Sequence, residues 1–509
     1  MLWLGLDIGT GGSRAVIINE KGEVHSAASA DHAPMVQLQP TWAEQDPDDW
    51  WRAAQEAIRA ALRQGNLAGG DIAGVGLSGQ MHGAVLLDAE HHVIRPSIIW
   101  CDQRSQAQAD WFTKRIGAKK LKAITCNPAL TGFTAPKLLW VRDNEPDNYA
   151  RMRMLLLPKD YIRFRLTGEF ATEVSDASGM LLLDVPHRRW SQEILDKLGL
   201  RLEQFPRVAE SQEVTTKISA AAANLTGLKQ GTPVVGGGGD QAAGGVGNGI
   251  TEPGILSSTI GTSGVLFAHT DQPHLDPKGR VHTFCHAVNN RWHVMAVTQG
   301  AGLSFRWFRD QFASAEIAQA GASGRDPYEL LTQEAAGAPA GSEGLLYLPY
   351  LMGERTPHLD PNARGVFFGL TARHTRAHVI RAILEGVAYS LRDGLEIFKE
   401  MGVPAGQVRA SGGGGRSGLW RQIQADVFNR EMVTINSTEG SAYGAALLAA
   451  TGTGKFSSIE EACRTCIRVT DRCEPDPARA QVYEEYYGVY RNLYPRLKAS
   501  FKKVSAIKL

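Results

Sequence analysis

The sequence has little cysteine, no excess of either charge and no long apolar run. Six cysteines in 509 residues are too few for a disulfide framework, which is typical of proteins from a reducing compartment. The 54 basic and 53 acidic residues leave a formal charge of +1, which argues against nucleic acid as the main partner. The chain lacks both a run of about 18 apolar residues, which a membrane span needs, and a signal-peptide pattern at its start. We therefore expect a cytoplasmic protein without a membrane segment.

Glycine, in contrast, is abundant, with 55 residues that occur in short clusters. Strand-like and helix-like runs alternate along the chain, which predicts an α/β protein. Residues 2–26 predict antiparallel strands joined by tight turns, and similar strand–turn–strand units are predicted at 73–87 and 254–268. The same plan thus occurs in both halves of the chain.

The length predicts at least two domains, and the glycine-rich stretch 236–249 is the best boundary between them. We expect a hinge in this stretch. The division gives an N-terminal domain at 1–247, a C-terminal domain at 248–451 and a helical segment at 452–509.

The C-terminal segment carries aromatic and leucine side chains at helical spacing, which predicts a face that packs on the domains. Pro495 is expected to interrupt this stripe. The segment also contains Cys463 and Cys466, a lone CxxC pair without a second pair or a histidine cluster nearby. We interpret both cysteines as structural.

Two glycine–threonine turns, one in each half, lie between predicted strands. The first follows an aspartate at a strand end, so it offers backbone N–H groups, a hydroxyl and a carboxylate, which suit phosphate and Mg²⁺. Taken alone, this turn is equally well explained as an ordinary glycine hairpin. The residues in question are Asp7, Gly9, Thr10 and Gly11 in the first turn, and Gly261, Thr262 and Ser263 in the second.

A third glycine loop at 411–418 connects a predicted strand to a predicted helix, as ligand-binding turns often do. It also satisfies the G-x-G-x-x-G spacing of dinucleotide-binding folds, with Glu431 near the position of a ribose-binding acid. A dehydrogenase is therefore an alternative, although it leaves the two glycine–threonine turns unexplained. The chain has no P-loop motif.

Asp240 follows four consecutive glycines after a short predicted strand, at the proposed hinge. A carboxylate between two domains can accept a proton from a substrate hydroxyl, which contributes about 10²–10⁴ in rate. The alternative is an aspartate that caps the next helix.

Several longer segments resemble one family, the FGGY carbohydrate kinases. The resemblance covers nearly the whole chain and includes the two glycine–threonine turns and the third loop. The segments that carry it read LGLDIGTGGSRAVI, GQMHG, WAEQDPDDWW, GFTAPKLLWVRDN, LPKDY, STIGTSGVLFA, GERTPHLDPNARG, GVFFGLTARHTRAHVIRAILE and VRASGGGGRSGLWRQIQADVFN. The resemblance implies two ribonuclease-H-like lobes of the actin, hexokinase and chaperone-ATPase superfold, with ATP in the cleft between them.

The resemblance also implies roles for individual residues. Asp240 would be the catalytic base, Met81, His82 and Gln241 would bind the sugar, and Asp7 would hold Mg²⁺. The phosphates of ATP would lie against the two glycine–threonine turns. The nucleoside would lie against Gly413, Gly414 and Ser417 in the third loop.

The motifs are most similar to family members that phosphorylate D-xylulose at its C5 hydroxyl. Those members usually have asparagine after the catalytic aspartate, whereas this chain has Gln241, as glycerol kinases do. Glycerol kinases, in turn, have an Arg-Glu pair where this chain has Met81 and His82. Another pentulose, a pentitol or glycerol therefore stays open as the acceptor, and an ATPase switch of the same fold is a further alternative. Family members are often homodimers, so a homodimer is a possible assembly.

Overall fold

The computed structural model describes residues 1–507, which form two α/β lobes and a long C-terminal helix. The strands are β1 (Leu2–Ile8), β2 (Gly12–Asn19), β3 (Val24–Asp31), β4 (Glu44–Gln45), β5 (Ile72–Gly79), β6 (Val85–Leu87), β7 (Ser97–Ile98), β8 (Met154–Leu156), β9 (Ala171–Glu173), β10 (Leu183–Asp184), β11 (Arg189–Trp190), β12 (Arg207–Ala209), β13 (Val214–Lys217), β14 (Pro233–Val235), β15 (Gly238–Gly239), β16 (Gly254–Ile260), β17 (Gly264–Thr270), β18 (His282–Cys285), β19 (Trp292–Thr298), β20 (Leu346–Leu348), β21 (Val366–Phe368), β22 (Ala405–Ser411), β23 (Glu431–Ile435) and β24 (Val469–Cys473).

The helices lie between these strands and after them. They are α1 (Pro47–Gln64), α2 (Gln106–Ile116), α3 (Ala118–Thr125), α4 (Thr134–Asn144), α5 (Pro146–Arg151), α6 (Pro158–Thr167), α7 (Val174–Ala177), α8 (Gln192–Leu198), α9 (Ala220–Thr226), α10 (Asp240–Gly247), α11 (Ala301–Phe312), α12 (Ser314–Ser323), α13 (Pro327–Ala335), α14 (Arg376–Glu400), α15 (Gly412–Arg416), α16 (Gly418–Phe428), α17 (Gly440–Gly452), α18 (Ile459–Cys466) and α19 (Pro477–Ala506).

The two large sheets repeat one topology. The first has the order β13-β14-β5-β1-β2-β3, in which β1 is antiparallel to β2 and parallel to β5, and β15 also pairs with β5. The second has the order β18-β19-β17-β16-β22-β23-β24, in which β16 is antiparallel to β17 and parallel to β22. The predicted α/β fold with two similar halves is confirmed.

One of the three predicted strand–turn–strand units does not form a hairpin, so that prediction is wrong. β5 and β6, which cover 73–87, do not pair with each other, because β5 lies inside the first large sheet and β6 pairs with β8 in a separate two-stranded sheet. The segment between them carries Met81 and His82, and His82 has a positive φ of 70°. The chain therefore leaves the sheet at this point instead of folding back along it.

The glycine-rich stretch 236–249, where the sequence predicts a hinge, has regular structure. It forms β15 and then α10, which packs on α17. A Cβ atom at Gly444 of α17 would lie 1.8 Å from the backbone oxygen of Ala243 in α10, so only glycine allows this approach. The glycines in this region serve close helix packing. Helix α17 also packs on β1 and β5 of the first sheet, and α10 packs on β17 of the second.

The C-terminal segment packs on the second lobe, as the aromatic stripe predicts. Four of the five tyrosines of α19 lie in the core of that lobe, and three of them bond buried carboxylates through their hydroxyls. Tyr483, Tyr487 and Tyr494 donate to Glu385, Asp393 and Asp360 at 2.7–2.8 Å. The predicted interruption at Pro495 is wrong, because α19 continues through it to Ala506.

The cysteines are all free, and Cys463 and Cys466 are buried in the hydrophobic core around α17 and α18. Residues 1–507 contain no group of three or more histidine, cysteine or acidic side chains that could together hold a metal ion. The packing of Cys463 and Cys466 in this core is consistent with the structural interpretation of the CxxC pair. No helix in the same part of the chain is both long and apolar enough to cross a membrane.

Candidate active site

Two cavities lie near the carboxyl ends of the central strands. The smaller has a volume of about 240 Å³, and its walls come from both lobes. The larger has a volume of about 790 Å³ and lies in the second lobe, between α11, α13 and the third glycine loop. The smaller cavity is lined by Thr10, Met81, His82, Trp100, Leu130, Gly132, Phe133, Asp240, Gln241, Ser263, Val265, His282, Met295, Val297 and Arg355.

Asp240 is the first residue of α10 and follows β15, which pairs in parallel with the end of β5. The N-cap position of α10 is occupied by Gly239. The alternative that Asp240 caps this helix is therefore wrong. Burial raises the pKa of the Asp240 carboxyl to about 7, and the negative charge of Asp7 adds to this rise, while Gln241 partly offsets it. A carboxyl group with this pKa is poised to exchange a proton near neutral pH.

Asp7 lies in β1, one residue before the strand ends. Burial raises the pKa of Asp7, and the Ser78 hydroxyl and Arg14 offset part of the rise. Within residues 1–507, the Oδ1 atom of Asp7 is buried and accepts no hydrogen bond. A buried carboxylate oxygen without a partner is costly unless a cation or donor joins it, so this atom fits a ligand for a hydrated Mg²⁺ ion.

The turn after Asp7 is held by side chains from neighbouring segments. Gln45 donates to the carbonyl of Thr10 at 2.7 Å, and Gln80 donates to the carbonyl of Gly9 at 3.3 Å. Trp100 donates from Nε1 to the Thr10 hydroxyl at 2.9 Å. The first glycine–threonine turn is thus fixed in position beside the smaller cavity.

Among the described residues 1–507, one ring nitrogen of His82 has a hydrogen-bond partner and the other has none. Its Nδ1 donates to the carbonyl of Gly179 at 2.9 Å, because a carbonyl can only accept. Burial lowers the pKa of His82 to about 3, and the positive charge of Lys137 adds to this effect. The ring is therefore neutral at physiological pH, and its Nε2 is left as a hydrogen-bond acceptor.

Lys137 of α4 fixes the backbone of His82 from behind. Its ammonium group donates to the carbonyls of His82 and Gly132 at 2.9 and 2.6 Å. The hydroxyl of Thr134 donates to the same His82 carbonyl at 3.1 Å. The two bonds to its carbonyl help to hold His82 in its left-handed conformation.

The second glycine–threonine turn is fixed by the start of α11. Gly302 and Leu303 donate from their backbone N–H groups to the carbonyls of Gly261 and Thr262 at 2.9 and 3.0 Å. Gly261 and Thr262 line the larger cavity together with Gly413, Gly414 and Ser417 of the third loop. A Cβ atom at Gly414 would lie 2.6 Å from the Cβ of Ile260, so glycine lets the two loops meet. Aromatic and cationic side chains complete this cavity, among them Phe305, Arg306, Tyr328, Arg416 and Trp420.

The predicted site residues divide between these two cavities. The smaller cavity is lined by the predicted base and the predicted sugar-binding residues, which are Asp240, Met81, His82 and Gln241. Thr10 and Ser263, which we predicted for the nucleotide, also line the smaller cavity. Gly9 and Gly11 line neither cavity and form the turn itself. The Ser417 hydroxyl caps α16 by accepting from the Trp420 N–H at 3.3 Å.

The structure also reveals a buried charged cluster behind Asp240 that the sequence analysis did not assign. Arg163 donates to the carbonyls of Val235 and Gly236 at 2.8 and 2.6 Å, and the Gly239 N–H donates to Ser175 Oγ at 3.1 Å. These contacts fix the glycine run that precedes Asp240.

Lys159 lies at the centre of this cluster, and its side chain is completely buried. Its ammonium group contacts Asp160 at 2.7 Å, Asp176 at 3.3 Å and Glu173 at 3.4 Å. Burial lowers the pKa of Lys159, but the three carboxylates raise it by more. Lys159 and Asp160 are adjacent in the LPKDY motif. This charged pair in an otherwise apolar segment is the sequence feature that could have indicated a buried ion pair.

Comparisons with known proteins identify the class that this fold and site define. The N-terminal domain of the FGGY family of carbohydrate kinases matches residues 2–247, and its C-terminal domain matches residues 256–453. The chain belongs to the FGGY family of carbohydrate kinases. Family members use ATP to phosphorylate a sugar or a related alcohol, so the class established here is a sugar kinase.

Similar proteins within this family include xylulose kinases. The chain is 39% identical to the xylulose kinase of Bacillus subtilis over 495 residues, which cover 97% of each chain. It is 38% identical to that of Escherichia coli K12, over 97% of this chain and 99% of the relative. A crystal structure of ligand-bound xylulose kinase from Lactobacillus acidophilus has a TM-score of 0.91 at 28% identity and covers 99% of both chains. A glycerol kinase structure from Plasmodium falciparum with ADP shares the fold, with a TM-score of 0.84 at 19% identity over 100% of this chain and 99% of that one.

Proposed function

We propose that this protein transfers the γ-phosphoryl group of Mg²⁺-ATP to the C5 hydroxyl of D-xylulose. The observation that carries the proposal is the smaller cavity, where Asp240 lies with Met81, His82 and one residue from each glycine–threonine turn. Phosphoryl transfer needs a base for the acceptor hydroxyl close to donors that hold the transferring group. The full-length similarity to xylulose kinases supports D-xylulose as the acceptor.

In the proposed reaction, Asp240 accepts the proton of the C5 hydroxyl as its oxygen bonds to the γ-phosphorus. The bond from that phosphorus to the β,γ-bridging oxygen breaks, and ADP leaves. Thr10 and Ser263, which line the smaller cavity from opposite lobes, would donate to the transferring phosphoryl group, and the nucleotide would lie in the larger cavity against Gly413, Gly414 and Ser417. Asp7 would hold Mg²⁺, which neutralises charge on the phosphates.

The product tests this proposal directly. We expect incubation with Mg²⁺-ATP and D-xylulose to give one phosphate ester, whose phosphorus couples to the C5 protons in the ³¹P NMR spectrum. An ester at C1 would contradict the assignment of C5 as the reacting end. Absence of any ester would contradict the proposed acceptor.

His82 gives a second test through sugar affinity. We propose that its free Nε2 accepts a hydrogen bond from a sugar hydroxyl, so His82→Ala is expected to raise the KM for the sugar about 3–10-fold. The KM for ATP should stay unchanged, because His82 lines only the smaller cavity. Steady-state kinetics with each substrate varied separately measure both values. An unchanged KM for the sugar would remove His82 from the site.

The pKa of Asp240 predicts how the rate depends on pH. The base form must be present to accept the hydroxyl proton, and the pKa of this carboxyl in the free protein is about 7. The sugar kcat/KM is therefore expected to fall about tenfold for each pH unit below about 7. A flat profile from about pH 8 to about pH 5.5 would contradict Asp240 as the titrating base.

A second candidate acceptor is another pentulose or a polyol such as a pentitol or glycerol. Gln241 favours it, because this residue lies in the smaller cavity next to Asp240 and is glutamine where D-xylulose-specific members usually have asparagine. A gluconate kinase structure from Lactobacillus acidophilus is also similar, with a TM-score of 0.91 at 27% identity over 99% of both chains. Relative kcat/KM across these acceptors distinguishes the two candidates.

A further inference from the structure

The smaller cavity contains a cationic side chain, Arg355, that has no partner within the part of the chain that the structure describes. Arg355 comes from the segment GERTPHLD of the second lobe and lines the cavity opposite the first-lobe residues. Within residues 1–507, its guanidinium makes no ion pair and donates no hydrogen bond to protein. Burial lowers the pKa of Arg355, yet arginine remains charged in proteins. Arg355 is half-buried, and its N–H groups are free to donate to the oxygens of a ligand in the cavity.

Within residues 1–507, the charged groups near Arg355 do not accept a hydrogen bond from its side chain. Its positive charge contributes to the lowered pKa of Lys137, His82 and His282, so it lies among groups that are themselves basic. Gly132 is also near, since a Cβ atom at that residue would lie 3.7 Å from Nη2 of Arg355. The one acidic neighbour, Glu354, directs its carboxylate away, to the Thr298 hydroxyl at 2.6 Å and the Gln299 N–H at 3.0 Å.

The segment that carries Arg355 is firmly attached to the second lobe. Glu354 and Asp360 exchange two backbone hydrogen bonds of 2.9 and 2.8 Å. Thr356 makes two hydrogen bonds to Val297 of β19. Its N–H donates to the Val297 carbonyl at 2.9 Å, and its hydroxyl accepts from the Val297 N–H at 3.1 Å. Tyr494 of α19 donates to Asp360 at 2.7 Å. This bracing fixes the backbone from which the Arg355 side chain reaches the cavity, so the backbone needs no ordering when a ligand binds.

Arg355 lies on the side of the cavity formed by Gly132 and His82. A Cβ atom at Gly132 would lie 3.7 Å from Nη2 of Arg355, and Lys137 donates to the carbonyls of both Gly132 and His82. The charge of Arg355 also contributes to the lowered pKa of His82. A sugar whose C5 hydroxyl reaches Asp240 extends its C1 and C2 oxygens toward the other end. A guanidinium fork matches two neighbouring oxygens that lie nearly in one plane, and the hydroxyl and carbonyl of an α-hydroxyketone meet that condition.

We propose that Arg355 binds the C2 carbonyl and C1 hydroxyl of the ketose through its guanidinium. This inference rests on the proposed function, because it presumes a ketose acceptor oriented with C5 at Asp240. The second lobe would then contribute directly to sugar recognition, along with the nucleotide site. The residue selects an acceptor that presents two adjacent oxygens at its unreactive end.

The test compares Arg355→Met, which keeps the length of the side chain but removes its donors, with the wild type on D-xylulose. We expect the KM for D-xylulose to rise about 10–100-fold, as loss of a hydrogen bond to a charged group does, with the KM for ATP unchanged. Arg364→Met is the matched control. Arg364 lies four residues after this segment and, within residues 1–507, its side chain donates only to the Pro361 and Ala363 carbonyls at 2.9 Å, so normal kinetics are expected.

Substrate analogues separate direct contact from a structural effect. The wild type should use 1-deoxy-D-xylulose, which lacks the C1 hydroxyl, with a lower kcat/KM than D-xylulose, whereas Arg355→Met should discriminate between them much less. Equal discrimination by both proteins, or a normal KM for D-xylulose in Arg355→Met, would overturn the inference while the proposed function stands. A wild type that does not phosphorylate D-xylulose would refute the proposed function itself.

Discussion

Replacing Asp240 by asparagine is expected to lower kcat about 10²–10⁴-fold, because the amide cannot accept the proton of the acceptor hydroxyl. The substitution keeps the size of the side chain and removes a carboxyl group whose pKa is raised by burial. Binding of ATP should persist, since the larger cavity is lined by other residues. Steady-state kinetics and calorimetric titration with ATP measure the two effects.

Asp393 offers a matched control for this variant. It is also a buried carboxyl group whose pKa burial raises to about 7, but it accepts from Tyr487 at 2.7 Å under α19, outside both site cavities. Asp393→Asn should leave kcat unchanged. Near-normal turnover of Asp240→Asn would refute Asp240 as the base. A similar loss in both variants would show that burying an amide is harmful in itself.

The second large effect is expected from Gly444→Ala. The new Cβ would meet the Ala243 carbonyl of α10 at 1.8 Å, so α10 and α17 must separate. We expect the free energy of unfolding to fall by about 3 kcal/mol and the melting temperature by roughly 5 °C. Turnover should fall as well, because α10 begins with Asp240. Thermal unfolding and kcat, measured on the same preparation, test both consequences.

Gly488→Ala is the control with the opposite sign. Gly488 also lies inside a helix, α19, but a Cβ atom there would meet nothing within 4 Å. Because alanine favours helix over glycine, this variant should gain about 0.5–1 kcal/mol. Equal stability changes at the two positions would contradict the claim that close approach of α10 and α17 requires glycine.

The sequence was most informative where a local pattern determines structure. The alternating apolar runs predict β1, β2, β16 and β17, and the glycine–threonine turns between them follow from the same pattern. The helical stripe of α19 predicts its docking face. The motifs shared with the FGGY family predict the fold of the whole chain and indicate which residues line the candidate site.

Features that depend on distant partners were not predictable from local patterns. In the sequence, the glycines of α10 indicate a hinge. Only the structure shows that α17, some 200 residues later, packs closely against them. Pro495 lies within a helix whose packing on the second lobe outweighs the local preference. Arg355 and the buried Lys159 occur in motifs that the resemblance uses, yet only tertiary structure shows that one faces a cavity and the other a cluster of carboxylates.

The central claim is tested most directly by ADP release with Mg²⁺-ATP across a panel of acceptors. The panel contains D-xylulose, L-xylulose, D-ribulose, L-ribulose, xylitol, D-arabinitol, gluconate and glycerol, with a blank that lacks acceptor. We predict the highest kcat/KM for D-xylulose and a rate far above the blank. Preference for another acceptor would contradict the proposed specificity, and a rate equal to the blank for every acceptor would contradict catalysis of sugar phosphorylation by this site.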